Sequence, residues 1–485
     1  MTGHREAVNR DEGARWATGG ELRAGWWLDR AGWPLGRSSS GMVYMPSLMQ
    51  EAGALVVAPP GAGKSRGVLV PALLSEALRT PQGRRSLIVL DPVGELYRLT
   101  ARTLARTHRV VCWNPANPQV STTYFDPLGY LGSPHDSQFE SRCESAAACW
   151  YTAMGGDQGG RSRGESYWET QPIAALTGLI AARVAQTPGL TITGLAEYVL
   201  SLTAEALAGE LATSAHGAAR RRAAVLADLL KNERALSGVV GELRRRLLVA
   251  ANPMVAETIG RPSIDVAALV ERPTVVYLQV GTGDQTGRPL LSVALSTLLV
   301  QLMRLTEAGR PLARPVRIII DELQNVGELY DLAAAINTLR KFEIGFLLAT
   351  QTRAGVYAVY GESKGNTIIE ACNTFLGLGG LAPDDAEWFS RQLGWRDWQE
   401  VTKERTWSLR TVGVPVPYAD IESNRPVGMR GVPLPYLHPQ THRRYERRHT
   451  PLMTADALRA LDRGMVVVPT RLRPFLVKLA LHQGD

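Results

Sequence analysis

At 485 residues the chain is too long for one ordinary hydrophobic core, so two or three domains are expected. Hydrophobic residues make up 45% and charged residues 21%, a balance that excludes a chain disordered throughout. The net charge of +8 fits a nucleic-acid partner, but it fits an arginine-preferring genome equally well and decides nothing alone.

In chain order, residues 1–49 form a Gly- and Trp-rich lead-in segment with short alternating stretches that predict small strands. Residues 50–135 begin an α/β pattern: ALVVAPP is a strand, a glycine turn follows, and 67–78 has helical spacing. SLIVLDP (86–92) and RVVCWNP (109–115) are further strands. From 136 to 265 apolar residues recur at helical spacing, over 171–185, 203–212 and 222–249, which predicts an all-α insertion. Residues 266–395 resume the sheet with TVVYLQV, RIIIDEL and GFLLATQ, separated by helices near 289–306 and 329–342. The stretch 396–449 is Pro/Arg-rich and weakly periodic and reads as a long loop or mobile arm. Residues 450–485 return to the α/β domain with a helix and a closing hairpin or edge pair. Strands alternating with helices predict a mainly parallel sheet flanked by helices.

Other signals narrow the setting. Cys112, Cys143, Cys149 and Cys372 form no CxxC pair, so neither a zinc site nor a disulfide framework is indicated. The N-terminus has no apolar signal core, and the uncharged run 289–303 is too short to span a bilayer and reads as a core helix. A cytosolic polypeptide without a transmembrane helix is expected.

The densest chemical signal is APPGAGKS (58–65), between a hydrophobic strand and a helix. Backbone N–H groups of Pro60–Arg66 other than the proline would point at phosphates, through Gly61, Ala62, Gly63, Lys64, Ser65 and Arg66. Lys64 would reach the β- and γ-phosphates of ATP, and Ser65 would hold Mg²⁺. Ala58 stands where the strict pattern has its first glycine.

RIIIDEL ends an apolar strand in two carboxylates, a costly arrangement unless they are solvated, paired or near a cation. Asp321 suits Mg²⁺ coordination and Glu322 suits polarising the attacking water. Gln351 ends the next strand and can place an amide near the γ-phosphate. Arg340 is either a surface arginine or a finger for a neighbouring subunit's nucleotide, and Arg353 competes for that role. Asp91 and Glu95 sit at the tip of LIVLDPVGEL, where the plain reading is a capped helix start.

These blocks together resemble the TraG/TraD-type coupling proteins of type IV secretion and conjugation, a branch of the FtsK/HerA-like P-loop motors. The likeness runs through ARWATGGEL (14–22), VVAPPGAGKSRGVLVPALL (56–74), IVLDPVGELYRLTA (88–101), IIIDELQNVGELYDL (318–332), LRKFEIGFLLATQTRAGVYAVYG (339–361) and the closing PLMTADALRALDRGMVVV. The resemblance implies an ATP-driven DNA translocase that couples processed single- or double-stranded DNA to a secretion channel. It also implies a homohexamer, with Arg340 at the family's trans-acting arginine position, and a relaxase or relaxosome and channel components as partners. The helical insertion would face that relaxosome, and the basic runs at 220–222 and 244–246 are candidate contacts.

Members of the family usually carry transmembrane helices ahead of the ARWAT-like segment, which begins here at residue 14. That leaves three expectations open: an anchor on a separate membrane protein, an upstream start, or a soluble motor. Peripheral placement at the inner face of the cell membrane follows from the first. Two functional alternatives also stand: a HerA/FtsK-like DNA motor in repair or defence, and a substrate receptor whose nucleotide is a switch with little turnover.

Overall fold

The computed structural model describes residues 5–155, 166–222, 233–260, 264–281, 283, 287–307, 309, 312–419 and 426–480. It divides into two compact units, Met1–Arg15 with Trp388–Thr454, and Trp16–Glu387 with Ala455–Asp485. In chain order the first strands are β1 (Arg5–Gly13), β2 (Trp33–Ser38), β3 (Gly41–Met45), β4 (Ala54–Val57), β5 (Ser86–Asp91) and β6 (Arg109–Trp113). There follow β7 (Thr274–Gln279), β8 (Val316–Ile320), β9 (Gly345–Thr350) and β10 (Thr374–Leu378). The last are β11 (Trp395–Ala419), β12 (Pro426–Pro451), β13 (Gly464–Pro469) and β14 (Phe475–Lys478).

In the larger unit the described strands make one sheet of order β3-β2-β14-β13-β10-β4-β9-β8-β5-β7-β6. From β10 to β6 every neighbouring pair is parallel. Every residue of β4, β5, β7, β8 and β9 is buried. That explains their near-continuous apolar runs, since helices cover both faces of such a sheet. The helix Arg288–Thr306 is one such cover: it is long and apolar enough to cross a membrane, yet most of it is buried in this unit.

The far side of the sheet departs from the sequence reading. The closing pair β13 and β14 is antiparallel as expected but lies inside the sheet, with β13 against β10 and β2–β3 beyond β14. The lead-in segment is therefore split: β2 and β3 complete this sheet, while β1 belongs to the other unit. Such long-range pairings leave no local trace in sequence. Trp27 and Phe475 seal the junction edge to face at 5.1 Å.

Between β6 and β7 the described elements are helices and turns, with long helices at Phe139–Ala153, Ser166–Gln186, Ile192–Ser201, Ala204–Thr213 and Glu233–Leu247. The Thr191 and Thr203 hydroxyls accept from Gly194 N and Ala206 N and set two of the starts. Part of the predicted helical stretch, 223–232, lies outside the described residues. The two basic runs turn out to be engaged within the chain. Arg221 and Arg222 pair with Glu140 and Glu144, Arg245 and Arg246 with Glu242, and Arg244 donates to the Val199 and Leu202 carbonyls. Arg246 also lies over the Tyr151 ring at 3.4 Å.

In the smaller unit, 396–449 is not a loop. β11 and β12 pair antiparallel from Trp395↔Pro451 to Tyr418↔Gly428, and β1 runs along the base of β11 from Gly13↔Arg396 to Arg5↔Thr402. A period-two pattern needs one dry face, and here residues on both faces are exposed, so the signal was weak.

Candidate functional site

The phosphate-loop candidate begins where β4 ends. Ala58 N donates to Thr350 O at 3.1 Å, which carries the β4–β9 pairing one residue beyond the ladder. The chain then reverses through Gly61 (φ +78°) and Gly63 (φ +92°), backbone angles that a side chain would strain. Nothing lies within 4 Å of where a Cβ on Gly61 would stand, so the turn opens onto free space. Lys64 is already helical, and Ser65–Leu69 makes a wide turn that continues into the helix Val70–Ala77.

Lys64 is buried, with its Nζ 2.8 Å from Asp321 Oδ1 and 3.5 Å from Glu322 Oε1. Asp321 follows β8, and its N–H donates to Leu90 O on β5 at 3.0 Å. Burial raises the Asp321 pKa, and the Lys64 ammonium opposes that rise. Glu322 has left-handed backbone angles (φ 53°, ψ 56°), which turn its carboxylate back toward Lys64. Gln351 Nε2 donates to Glu322 Oε1 at 3.2 Å, and Asn325 Nδ2 donates to Oε2. Asn325 was missed in the sequence; its spacing of three from Glu322 was the available signal. Thr350 and Gln324 bond side by side at 2.9 Å and tie β9 to the turn after Glu322.

Lys64, Asp321, Glu322 and Gln351 therefore converge from three loops, after β4, β8 and β9. Arg66 is drawn to Glu95, 3.6 Å away. Asp91 does cap the next helix, accepting from Gly94 N and Tyr97 N at 2.9 Å each. Its pKa is raised to about 7, first by burial and further by nearby Asp321, against those two N–H groups.

The two candidate finger arginines separate. Arg353 is held within the chain by Asp385 Oδ1 at 2.9 Å and by Asp384 O. Arg340 is exposed just past the helix Leu332–Leu339, and among the described residues no hydrogen bond or ion pair joins it to the Lys64 cluster.

A nucleoside triphosphate with Mg²⁺ fits these residues: an open turn with glycines, a buried ammonium, a hydroxyl at the helix start and an adjacent carboxylate pair. Among the described residues no cluster of three or more His, Cys, Asp or Glu is placed to hold a metal. Ser65, Asp321, phosphate oxygens and water would thus supply the ligands, the usual manner for Mg²⁺.

A glycine turn between a buried parallel strand and a helix, with its lysine against a carboxylate pair on a nearby strand, defines a P-loop NTPase of the α/β class. The family model "Type IV secretory system Conjugative DNA transfer" matches residues 15–411, and the chain belongs to that family. The protein VirD4 of Agrobacterium fabrum (strain C58 / ATCC 33970) is 25% identical over 365 residues, covering 72% of this chain and 51% of that protein. VirD4 of Rhizobium rhizogenes is likewise 25% identical over 365 residues, with the same coverage. The chain thus spans about half the length of the curated relatives it matches. Among solved structures, the bacterial conjugative coupling protein TrwBdeltaN70, in a trigonal form with sulphate, aligns at TM-score 0.71 and 17% identity, covering 99% of this chain and 96% of that one. The plasmid coupling protein TrwB in complex with the non-hydrolysable ATP analogue ADPNP aligns at TM-score 0.69 and 17% identity, with 99% and 96% coverage. At that identity the likeness shows the shared fold.

Proposed function

We propose that this chain is the motor of a coupling protein, hydrolysing ATP to move DNA toward a type IV secretion or conjugation channel. The observation that carries the reading is the joining of Lys64, Asp321, Glu322 and Gln351 at the mouth of one glycine turn. Family membership and the nucleotide complexes of TrwB support it.

ATP with Mg²⁺ supplies, when bound, the phosphoanhydride to be broken and a cation to offset the charge that develops. The chain's residues do the rest. Backbone N–H groups from Gly61 to Arg66 bind phosphate oxygens, and Lys64 exchanges its carboxylate partners for phosphate. Ser65 and Asp321 would hold the cation. Glu322, freed from Lys64, orients the attacking water and takes its proton, and Gln351 keeps that carboxylate aimed. Arg340, exposed and unengaged by the cluster, serves the site of a neighbouring copy, which calls for a ring assembly, here a homohexamer.

DNA would be held through phosphate contacts, so binding should weaken steeply as salt rises. Relaxosome proteins and channel components are the expected partners. Placement at the inner face of the cell membrane completes the proposal.

The test is ATP hydrolysis by the purified chain with and without single- and double-stranded DNA, beside Lys64→Ala and Glu322→Gln. DNA-stimulated turnover lost in both variants supports the motor. Nucleotide binding without turnover under every DNA condition overturns it in favour of a nucleotide-switched receptor.

A further inference from the structure

The N-terminal edge of the parallel sheet carries a row of arginines that the ATPase site does not use. There β8, β5 and β7 are neighbours, held in the register Ser86↔Val316 and Leu87↔Val275. Arg314, Arg84 and Arg272 each stand two residues ahead of their strands, so they fall level with one another. The pairing reaches almost to them: Ser86 N donates to Pro315 O at 3.1 Å, and Thr274 N to Ser86 Oγ at 3.0 Å. The Ser86 hydroxyl in turn lies 3.0 Å from Arg272 O, and Arg314 Nη1 donates to Arg84 O. Adjacent strands are about 4.8 Å apart, so the three backbones form an even row roughly 10 Å long. Along β8 the row lies about 20 Å from Asp321, at the opposite end of the sheet from the glycine turn.

These arginines differ from those just behind them. Arg79 and Arg85 share Glu76, at 2.7 and 3.8 Å, and Arg317 takes Glu51 at 3.1 Å. Among the described residues no ion pair engages Arg84, Arg314 or Arg272, and Glu271, next in sequence to Arg272, forms none with it. The Nε atoms of Arg84 and Arg314 are shut off from water and meet no acceptor there. A buried charged donor without an acceptor is costly, and an oxyanion supplied from outside would relieve that cost. Arg84 and Arg314 are half-buried and Arg272 is exposed, so such a ligand can reach all three. The arginine runs of the helical insertion, by contrast, are already neutralised by Glu140, Glu144 and Glu242.

We infer that this edge binds the phosphate backbone of a nucleic-acid strand, with Arg84 and Arg314 as its central contacts and Arg272 beside them. Guanidinium forks suit phosphate oxygens. An even row of like charges matches a polymer that carries one charge per repeat, whereas the acidic side chains of a folded protein keep no such repeat. A single nucleotide concentrates its charge at one point, and the row is spread over three strands. Beyond Arg272 the positive edge continues through exposed Arg109, which opens β6, and exposed Arg106. Asp265 lines a pocket with Arg109 but is occupied in capping its own helix at Ala267 N and Ala268 N. Contacts of this kind position a strand without reading its sequence. The inference rests on the motor reading for the choice of DNA as the polymer.

The test is fluorescence anisotropy of the full chain with labelled single- and double-stranded DNA over a salt series. The variants are Arg84→Gln/Arg314→Gln, Arg84→Lys/Arg314→Lys, Arg221→Gln/Arg245→Gln and Lys64→Ala. The glutamine pair at the sheet edge should bind about tenfold more weakly at about 0.1 M salt. Its log–log salt slope should be smaller by about 0.7–0.9 for each arginine removed. The lysine pair, which keeps the charge, should recover most of that slope. The control pair in the helical insertion and Lys64→Ala should bind like the parent chain. Unchanged DNA-independent ATP turnover in the edge variants would show that they fold. Affinity and slope indifferent to the edge overturn the inference, while DNA-stimulated turnover of the parent chain leaves the motor reading standing. A parent chain that neither binds DNA nor responds to it overturns both. Loss of turnover with DNA binding intact would overturn the inference and assign the edge, beside Arg340, to the nucleotide of a neighbouring copy. Loss of self-association with DNA binding intact would assign it instead to an acidic face of a second copy.

Discussion

Strand β8 has a buried cation near each end, and the two are held in different ways. At its start Arg317 is fully buried, with Nη1 donating to the Val316 and Glu343 carbonyls, Nη2 to Glu51 at 3.1 Å and Nε to Gln50 at 3.5 Å. Behind it Arg85 donates to Ser47 and Gln50, and Glu76 accepts from Trp33 Nε1 at 3.0 Å. Beyond its other end Lys64 pairs, among the described residues, with the side chains of Asp321 and Glu322. Backbone carbonyls cannot leave Arg317 unless the sheet opens, whereas two carboxylates beside an open turn can give Lys64 up to another anion. A buried charge fixed by the backbone supports the fold; one held by exchangeable side chains is available for chemistry.

Substitutions at the two ends should therefore separate activity from stability. Lys64→Ala is expected to lower ATP turnover by about 10²–10³-fold while thermal melting moves little. A large drop in melting temperature would place Lys64 with Arg317. Arg317→Met removes a fully buried cation from half-buried Glu51 and from two carbonyls and should cost about 3–5 kcal/mol in denaturant unfolding, far more than Lys64→Ala. Equal losses would erase the distinction.

Gln351→Ala removes one hydrogen bond to a charged group and should cost about tenfold in kcat with KM nearly unchanged. A rise in KM alone would instead make Gln351 a nucleotide contact.

The smallest effect concerns a third buried charge, Asp126, which accepts from Leu128 N at 2.9 Å and Ile192 N at 3.2 Å. Burial raises its pKa to about 7 against those N–H groups. A carboxyl raised in the folded state contributes stability that is full below its unfolded pKa, near 4, and is lost as pH rises through about 7. Melting temperatures at pH 5 and pH 8 should therefore lie closer together in Asp126→Asn than in the parent chain. An unchanged gap would show that the rise does not act on stability.

What was legible in the sequence was local. The strand, the glycine turn and Lys64 are contiguous, and Asp321–Glu322 and Gln351 end apolar runs, so periodicity and strand ends located all of them. The arginine runs at 220–222 and 244–246 were only partly legible: Glu242 lies three and four positions from Arg245 and Arg246, but Glu140, Glu144 and Tyr151, the partners of Arg221, Arg222 and Arg246, lie about 80 to 100 positions away. The ribbon was invisible for another reason: with both faces exposed, no alternation marks a strand. The Arg317 network joins residues from 33 to 343, and no spacing rule connects them.

The left-handed backbone of Glu322 sets stability against activity at a single position. A side chain in that region costs about 1–2 kcal/mol, which a glycine would not incur. Glu322→Gly should yield a protein that melts higher and hydrolyses nothing. Selection for thermal resilience alone would favour losing this glutamate, as it would the side chains at Asp331 and Glu343, which share the left-handed backbone, so a stabilised library of this chain should be screened for turnover.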